Sequence, residues 1–108
     1  MYKTTFPMFA ALLMWPCAAT AASDSIVTDA GRQLARQWCA ECHLVEAEQS
    51  QASSTIAPTF FEVARDPAVT ETSLRVFLAS PHENMPDIVL SNQQTEEIIA
   101  YILSLRTQ

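Results

Sequence analysis

Two cysteines and a histidine stand close together in the run Cys39-Ala40-Glu41-Cys42-His43. Thiols at this spacing lie about one helical turn apart, and each can add its S–H group across one vinyl group of a haem to form a thioether. The imidazole of His43 directly follows the second thiol, which places it under the iron as an axial ligand. The spacing therefore predicts a covalent haem attachment site.

Three other kinds of site use similar residues. A thiol redox pair of Cys39 and Cys42 would usually open a helix that follows a strand, and the sequence has no such α/β pattern. A zinc site needs further ligands, and beyond the N-terminal segment His82 is the only other candidate. A structural disulfide gives His43 no role. Haem attachment explains more of these residues, and the thiol pair remains an alternative.

A haem iron bound by His43 needs a second axial ligand or keeps an open position. Met85 is the only methionine outside the N-terminal segment, and it stands in a loop between Pro81 and Pro86. Its thioether is a soft ligand that favours ferrous iron and raises the reduction potential. We therefore predict Met85 as the second ligand. Packing of Met85 in the core is an alternative, and His82 is the rival ligand.

The first 22 residues are typical of a secretory signal peptide. Lys3 gives a positive start, the stretch 6–15 is apolar, and Ala19-Thr20-Ala21 resembles a cleavage site. The sequence thus predicts a signal peptide at residues 1–22, a mature domain at residues 23–108, and export to the periplasm. An uncleaved membrane anchor is the alternative.

The mature part is small and acidic. Its length of about 86 residues suffices for one domain with a modest core, which a covalently held cofactor would reinforce. Lys3 is the only lysine, and the five arginines are outnumbered by twelve acidic residues, which argues against nucleic acid as a partner. We expect a monomer whose redox partner docks through a basic or an apolar patch.

Apolar periodicity predicts a first helix that leads into Cys39. Thr28 or Asp29 is suited to cap it. Its apolar stripe consists of Gly31, Leu34, Ala35 and Trp38. Gly31 is the only glycine in the chain, and glycine inside a helix costs about 1 kcal/mol relative to alanine. We infer that another backbone or ring approaches closely at Gly31.

Three further helices are predicted after a polar surface loop at residues 44–57. They begin near Pro58, at Thr70 or Thr72, and at Ser91, where Gln94 completes a capping box. The second of them has Leu74, Phe77 and Leu78 on one face. No stretch alternates between apolar and polar residues as a strand would, so the predicted fold class is all-α.

These features resemble the small monohaem class I cytochromes c of the bacterial, periplasmic type. That family has a glycine eight residues before the first haem cysteine, as Gly31 is here, and sets an aromatic residue of the last helix against it, which Tyr101 matches. It has a proline whose carbonyl accepts a hydrogen bond from the proximal histidine, and Pro58 matches this proline. Its distal methionine stands shortly before the last helix, as Met85 does.

The resemblance implies the cytochrome c fold, in which crossing N- and C-terminal helices, short helices and loops surround one haem c. It implies covalent attachment through Cys39 and Cys42, axial ligation by His43 and Met85, and a supporting bond from Pro58. It also implies a one-electron carrier rather than an enzyme. Two alternatives stay open, namely a dedicated haem subunit or partner of a periplasmic dehydrogenase, and a haem-based sensor or enzyme in which Met85 is labile.

Overall fold

The computed structural model describes residues 1, 19–50, 52, 57–80, 82 and 85–108. These residues form the α-helices α1 (Ala19–Trp38), α2 (Phe60–Arg65), α3 (Glu71–Ala79) and α4 (Asn92–Ser104), followed by a 3-10 turn at Leu105–Thr107. No strand occurs among the residues described. The prediction of an all-α chain is therefore confirmed.

Helix α1 begins earlier than predicted. A cap at Thr28 or Asp29 is wrong, because α1 starts at Ala19 and the Thr28 hydroxyl donates back to the Asp24 carbonyl within the helix, at 2.8 Å. The alanine-rich stretch before Thr28 contains no glycine or proline that would end a helix. Helix α1 thus runs through the end of the predicted signal peptide, of which residues 2–18 lie outside the described residues. None of the helices described is long and apolar enough to cross a membrane.

The three shorter helices begin where predicted, each with a complete capping box. The N-cap residues Thr59, Thr70 and Ser91 pair with Glu62, Ser73 and Gln94, respectively. In each box the N-cap hydroxyl accepts a hydrogen bond from the third backbone N–H, and the third side chain accepts one from the N-cap N–H. Local sequence therefore fixes where α2, α3 and α4 start.

Helices α1 and α4 cross at Gly31. A Cβ atom on Gly31 would overlap the carbonyl oxygen of Glu97 and lie 2.5 Å from its carbonyl carbon and 2.9 Å from the Cβ of Tyr101. Because these distances are far shorter than van der Waals contact, any side chain at this position would push the two helices apart. The close approach inferred from the single glycine is present, and Tyr101 lies at it.

The core gathers residues from all four helices and from the segment after His43. The buried apolar residues are Ala35, Cys39, Val45, Phe60, Ala64, Leu74, Ile98, Ile99, Tyr101, Ile102 and Leu105. Two aromatic residues on predicted apolar faces lie outside this core, since Trp38 is 39% and Phe77 53% exposed. Both side chains instead border a cavity next to Cys39.

Candidate functional site

The cysteine–histidine motif continues directly from the end of α1. The backbone N–H of Cys39 donates to the carbonyl of Ala35 at 2.9 Å, and that of His43 donates to the carbonyl of Cys39 at 2.8 Å. The N–H of Cys42 also donates to Cys39, at 3.1 Å. The motif therefore forms consecutive turns that are tied to the helix crossing α4.

The two thiols of the motif lie in different surroundings. Cys39 is buried, with 7% of its surface exposed, whereas Cys42 is half-buried. Burial, and to a smaller extent the neighbouring Cys42, raises the pKa of the Cys39 thiol to about 11. An attacking cysteine of a thiol oxidoreductase has a lowered pKa instead. The environment of Cys39 thus disfavours the thiol redox alternative.

The ring of His43 is oriented by the carbonyl of Pro58. Its Nδ1 lies 2.7 Å from the Pro58 oxygen. Because a carbonyl can only accept, Nδ1 carries the proton, and Nε2 keeps a lone pair that is available to a metal. The ring also packs against Phe60, with centroids 5.4 Å apart. This is the arrangement expected of a metal-binding imidazole with a supporting backbone partner.

The side chain of Gln49 bridges the motif and the segment that follows it by hydrogen bonds to their backbones. Its amide nitrogen donates to the carbonyls of Ala40 and His43, at 2.8 and 3.0 Å, and its amide oxygen accepts from the N–H of Val45 at 2.9 Å. The sequence predicts only a polar surface loop over residues 44–57 and gives no signal for this role. Residues 51 and 53–56 of this loop lie outside the described residues, and its described part at residues 44–50 forms an ordered support behind His43.

Three further contacts join this segment to α1 and α4. The Tyr101 hydroxyl donates to the carbonyl of the buried Val45 at 2.7 Å. Burial is the main cause that raises the pKa of Tyr101. Glu46 pairs with Arg32 and Arg36 of α1, at 3.1 and 3.4 Å. The residues after His43 are therefore held between the two crossing helices.

A cavity lies between the end of α1, helix α3 and the segment before α4. Its apolar lining includes Trp38, Phe77, Leu78, Ile88, Leu90 and Ile98. It brings Met85, which is half-buried, together with Cys39, although the two are far apart in the sequence. Of the described residues, Cys42, His43 and His82 are not part of its lining. One cysteine and the candidate methionine thus share a largely apolar space.

His82 is directed at the end of α3. Its Nδ1 lies 3.0 Å from the carbonyl oxygen of Phe77 and 3.2 Å from that of Ser80, and its ring stands edge-on to Phe77. The backbone N–H of Met85 donates to the carbonyl of His82 at 3.0 Å. Residues 81, 83 and 84, which complete the predicted loop, lie outside the described residues. His82 therefore supports the segment that carries Met85.

The available donors suit a haem better than a bare metal ion. In the part of the chain that is described, no three His, Cys, Asp or Glu side chains are grouped so as to hold an ion. A haem brings four ring nitrogens of its own and needs only axial ligands from the protein. An imidazole with a free Nε2, a thioether in an apolar cavity and two thiols are the groups that such a cofactor uses.

Comparison with known proteins identifies the family. The chain is 42% identical over 90 residues to cytochrome c-552 of Bradyrhizobium diazoefficiens, and the matched region covers 82% of this chain and 86% of that protein. No family model and no solved structure matches the chain. Identity at this level over most of both proteins, together with the all-α fold, shows that the chain belongs to the small class I c-type cytochromes, which carry electrons and are not enzymes.

Proposed function

We propose that this protein carries single electrons in the periplasm through one haem c that is attached by Cys39 and Cys42 and ligated by His43 and Met85. When bound, the haem supplies the ferric/ferrous couple. The observation that carries the proposal is the cavity in which Met85 lies together with Cys39. In this cavity, the sulfur of Met85 and the attachment motif meet although they are far apart in the sequence.

The proximal residues have distinct tasks in this proposal. The thiols of Cys39 and Cys42 would hold the haem as thioethers, each by addition of its S–H across one vinyl group, with sulfur on one carbon, hydrogen on the other and no oxidant needed. His43 would offer Nε2 to the iron while Nδ1–H stays bonded to Pro58. Because the bond fixes both the tautomer and the ring orientation, Pro58 belongs to the site without touching the iron.

Met85 is favoured over His82 as the second ligand. Met85 lines the cavity beside Cys39, whereas His82 directs Nδ1 to carbonyls at the end of α3. A methionine opposite histidine raises the reduction potential of a c-type haem. Ligation by both His43 and Met85 would leave the iron no open position for a substrate, as suits a protein that only exchanges electrons.

The surface around the cavity supports docking of a redox partner. Trp38 and Phe77 border the cavity and are 39% and 53% exposed, so they offer apolar area where electrons would leave. The acidic balance of the chain favours a partner with a basic or an apolar patch, and disfavours nucleic acid. We propose that the protein acts as a monomer, either as a diffusing carrier or as the dedicated partner of one dehydrogenase.

The N-terminal sequence supports the proposed periplasmic location. Residues 1–22 have the charge, apolar run and cleavage pattern of a signal peptide. Cleavage near residue 22 would leave a shortened α1 that still contains Gly31 and still leads into the motif. N-terminal sequencing of protein recovered from the periplasm should therefore begin near Ser23, whereas a start at Met1 would indicate an uncleaved anchor.

An absorption spectrum of protein matured with export and haem-attachment machinery tests the proposed ligation. We expect low-spin haem in both oxidation states and no prompt binding of carbon monoxide to the reduced protein. Prompt binding would indicate an open or labile distal position and would favour a sensor or an enzyme. Absence of haem from the matured protein would favour the thiol oxidoreductase.

A further inference from the structure

One peptide group connects His43 to the start of α2. Its carbonyl, from Pro58, accepts the hydrogen bond from His43 Nδ1 at 2.7 Å. Its N–H, from Thr59, donates to Oε2 of Glu62 at 2.8 Å. A single planar unit is thus bonded at both ends, to an imidazole on one side and to a carboxylate on the other.

The two hydrogen bonds reinforce each other because the peptide group is resonant. A carboxylate that accepts from the amide N–H increases the double-bond character of C–N and places more negative charge on the carbonyl oxygen. A more negative oxygen binds Nδ1–H more strongly, which makes the imidazole a stronger donor to iron. A stronger donor stabilises the ferric over the ferrous state.

We infer that Glu62, besides capping α2, acts through the Pro58–Thr59 peptide group as a positioning residue for His43 and lowers the reduction potential. This rests on the proposed ligation of the haem iron by His43. The carboxylate of Glu62 is bonded to the N–H of Thr59 and would touch neither the iron nor the haem ring.

The peptide group is held firmly enough for such a role. The N–H of Glu62 donates back to the Thr59 hydroxyl at 3.1 Å, and the N–H of Phe60 donates to the carbonyl of Leu44, the residue after His43, at 2.9 Å. The hydrogen bonds with Thr59 also keep the pKa of Glu62 below its usual value, so the side chain is a carboxylate at neutral pH.

The other capping boxes provide an internal comparison. The third residue of the box is Ser73 in α3 and Gln94 in α4, both neutral, whereas α2 has the carboxylate of Glu62. Capping alone does not require a charge, because glutamine serves the same geometry in α4. Among the three described boxes, the charged one is bonded to the peptide that meets His43.

Glu62→Gln in the holoprotein separates charge from capping, since glutamine can accept the same bond from Thr59 N–H. We expect a higher reduction potential and an upfield shift of the His43 Nδ1–H proton resonance in the reduced protein. Glu48→Gln is the matched control, because it removes one exposed carboxylate from the segment after His43 without altering the peptide group. The excess shift of Glu62→Gln over the control should persist at about 1 M salt, where the Debye length is about 3 Å and through-space effects of exposed charges are screened.

Equal potentials of the two variants at high salt, with an unchanged Nδ1–H resonance, would overturn the role of Glu62. If Glu62→Gln does not mature, Glu62→Asp provides the second test, because its shorter side chain should weaken the bond and shift the same resonance upfield. A silent Glu62→Asp would then overturn the role. The absorption spectrum of the wild-type protein tests ligation by His43 independently of Glu62. A failure of that ligation would contradict the proposed function itself.

Discussion

The two sides of the proposed haem site are built differently. On the proximal side, His43 is bonded to Pro58, the following segment is closed by Gln49, and Tyr101 ties it to α4. On the distal side, residues 85–90 have no regular secondary structure, and Val89 is 83% exposed. The proximal side is held by directed hydrogen bonds, whereas the distal side mainly lines an apolar cavity.

This difference separates two properties of the protein. Stability depends on the helix crossing and on the bonds behind His43, because these join distant parts of the chain. The proposed ligand set depends on Met85, which lies on a segment that few directed contacts constrain in the part of the chain described. Substitutions on the proximal side should therefore lower stability, and substitutions on the distal side should change the iron while leaving the fold in place.

Gly31→Val should have the largest effect on stability. The valine side chain would overlap the backbone of Glu97, so the crossing of α1 and α4 must open, at a cost of about 3 kcal/mol. Chemical denaturation of the holoprotein measures this loss. Gln33→Val, at an exposed position of the same helix, is the control and should cost about 0.5 kcal/mol or less. Equal unfolding midpoints of the two variants would show that the crossing does not depend on glycine.

Met85→Ala should have the largest effect on the iron. We expect the haem to remain attached, the reduction potential to fall, and carbon monoxide to bind promptly to the reduced protein, because the thioether ligand is gone. His82→Ala is the matched control from the same loop and should keep a low-spin iron. An unchanged potential and spectrum in Met85→Ala, together with loss of the low-spin spectrum in His82→Ala, would mean that the distal ligand is assigned to the wrong residue.

Tyr101→Phe should cost less than the change at Gly31. The variant removes the hydroxyl that donates to Val45 at 2.7 Å and leaves a buried carbonyl without that partner, which costs about 1–3 kcal/mol. Denaturation curves measure the loss, and Thr107→Ala, which removes an exposed hydroxyl, is the control. A stability equal to that of the control would show that the proximal segment is held without this bond.

Among these predictions, the smallest effect should be the pH-dependent contribution of Glu62 in α2 to the stability of the protein. The pKa of Glu62 is lowered in the folded protein by its hydrogen bonds with Thr59. Its contribution is therefore fully present above the pKa of glutamate in the unfolded chain and is lost as the pH falls through the lower folded pKa. Unfolding midpoints measured down this acid range should fall less steeply in Glu62→Gln than in wild type. Parallel curves would contradict the role of the carboxylate in the cap.

The attachment motif and the starts of the three shorter helices largely follow from local sequence. The spacing of Cys39, Cys42 and His43, and the capping box at Ser91, depend on residues within one or two turns of each other, so their geometry is set by the backbone. Gly31 predicts the helix crossing because a lone glycine on an apolar helix face indicates that another backbone approaches closely there.

Other features depend on contacts that no periodicity encodes. Gln49 satisfies backbone groups of the motif with a flexible side chain, and any polar residue in a loop would look the same in the sequence. The capping residues Thr28 and Asp29 predict too late a start for α1, because nothing near Thr28 interrupts the helix. The exposure of Trp38 and Phe77 depends on a cavity that forms only when α1, α3 and the segment before α4 come together.

The intact mass of the exported, matured protein under denaturing conditions tests the central claim most directly. We predict the mass of the cleaved polypeptide plus one haem, and a proteolytic peptide with Cys39 and Cys42 that carries the same added mass. A polypeptide without haem, or one lighter by the two hydrogens lost in a disulfide between these cysteines, would contradict covalent attachment and with it the proposed electron carrier.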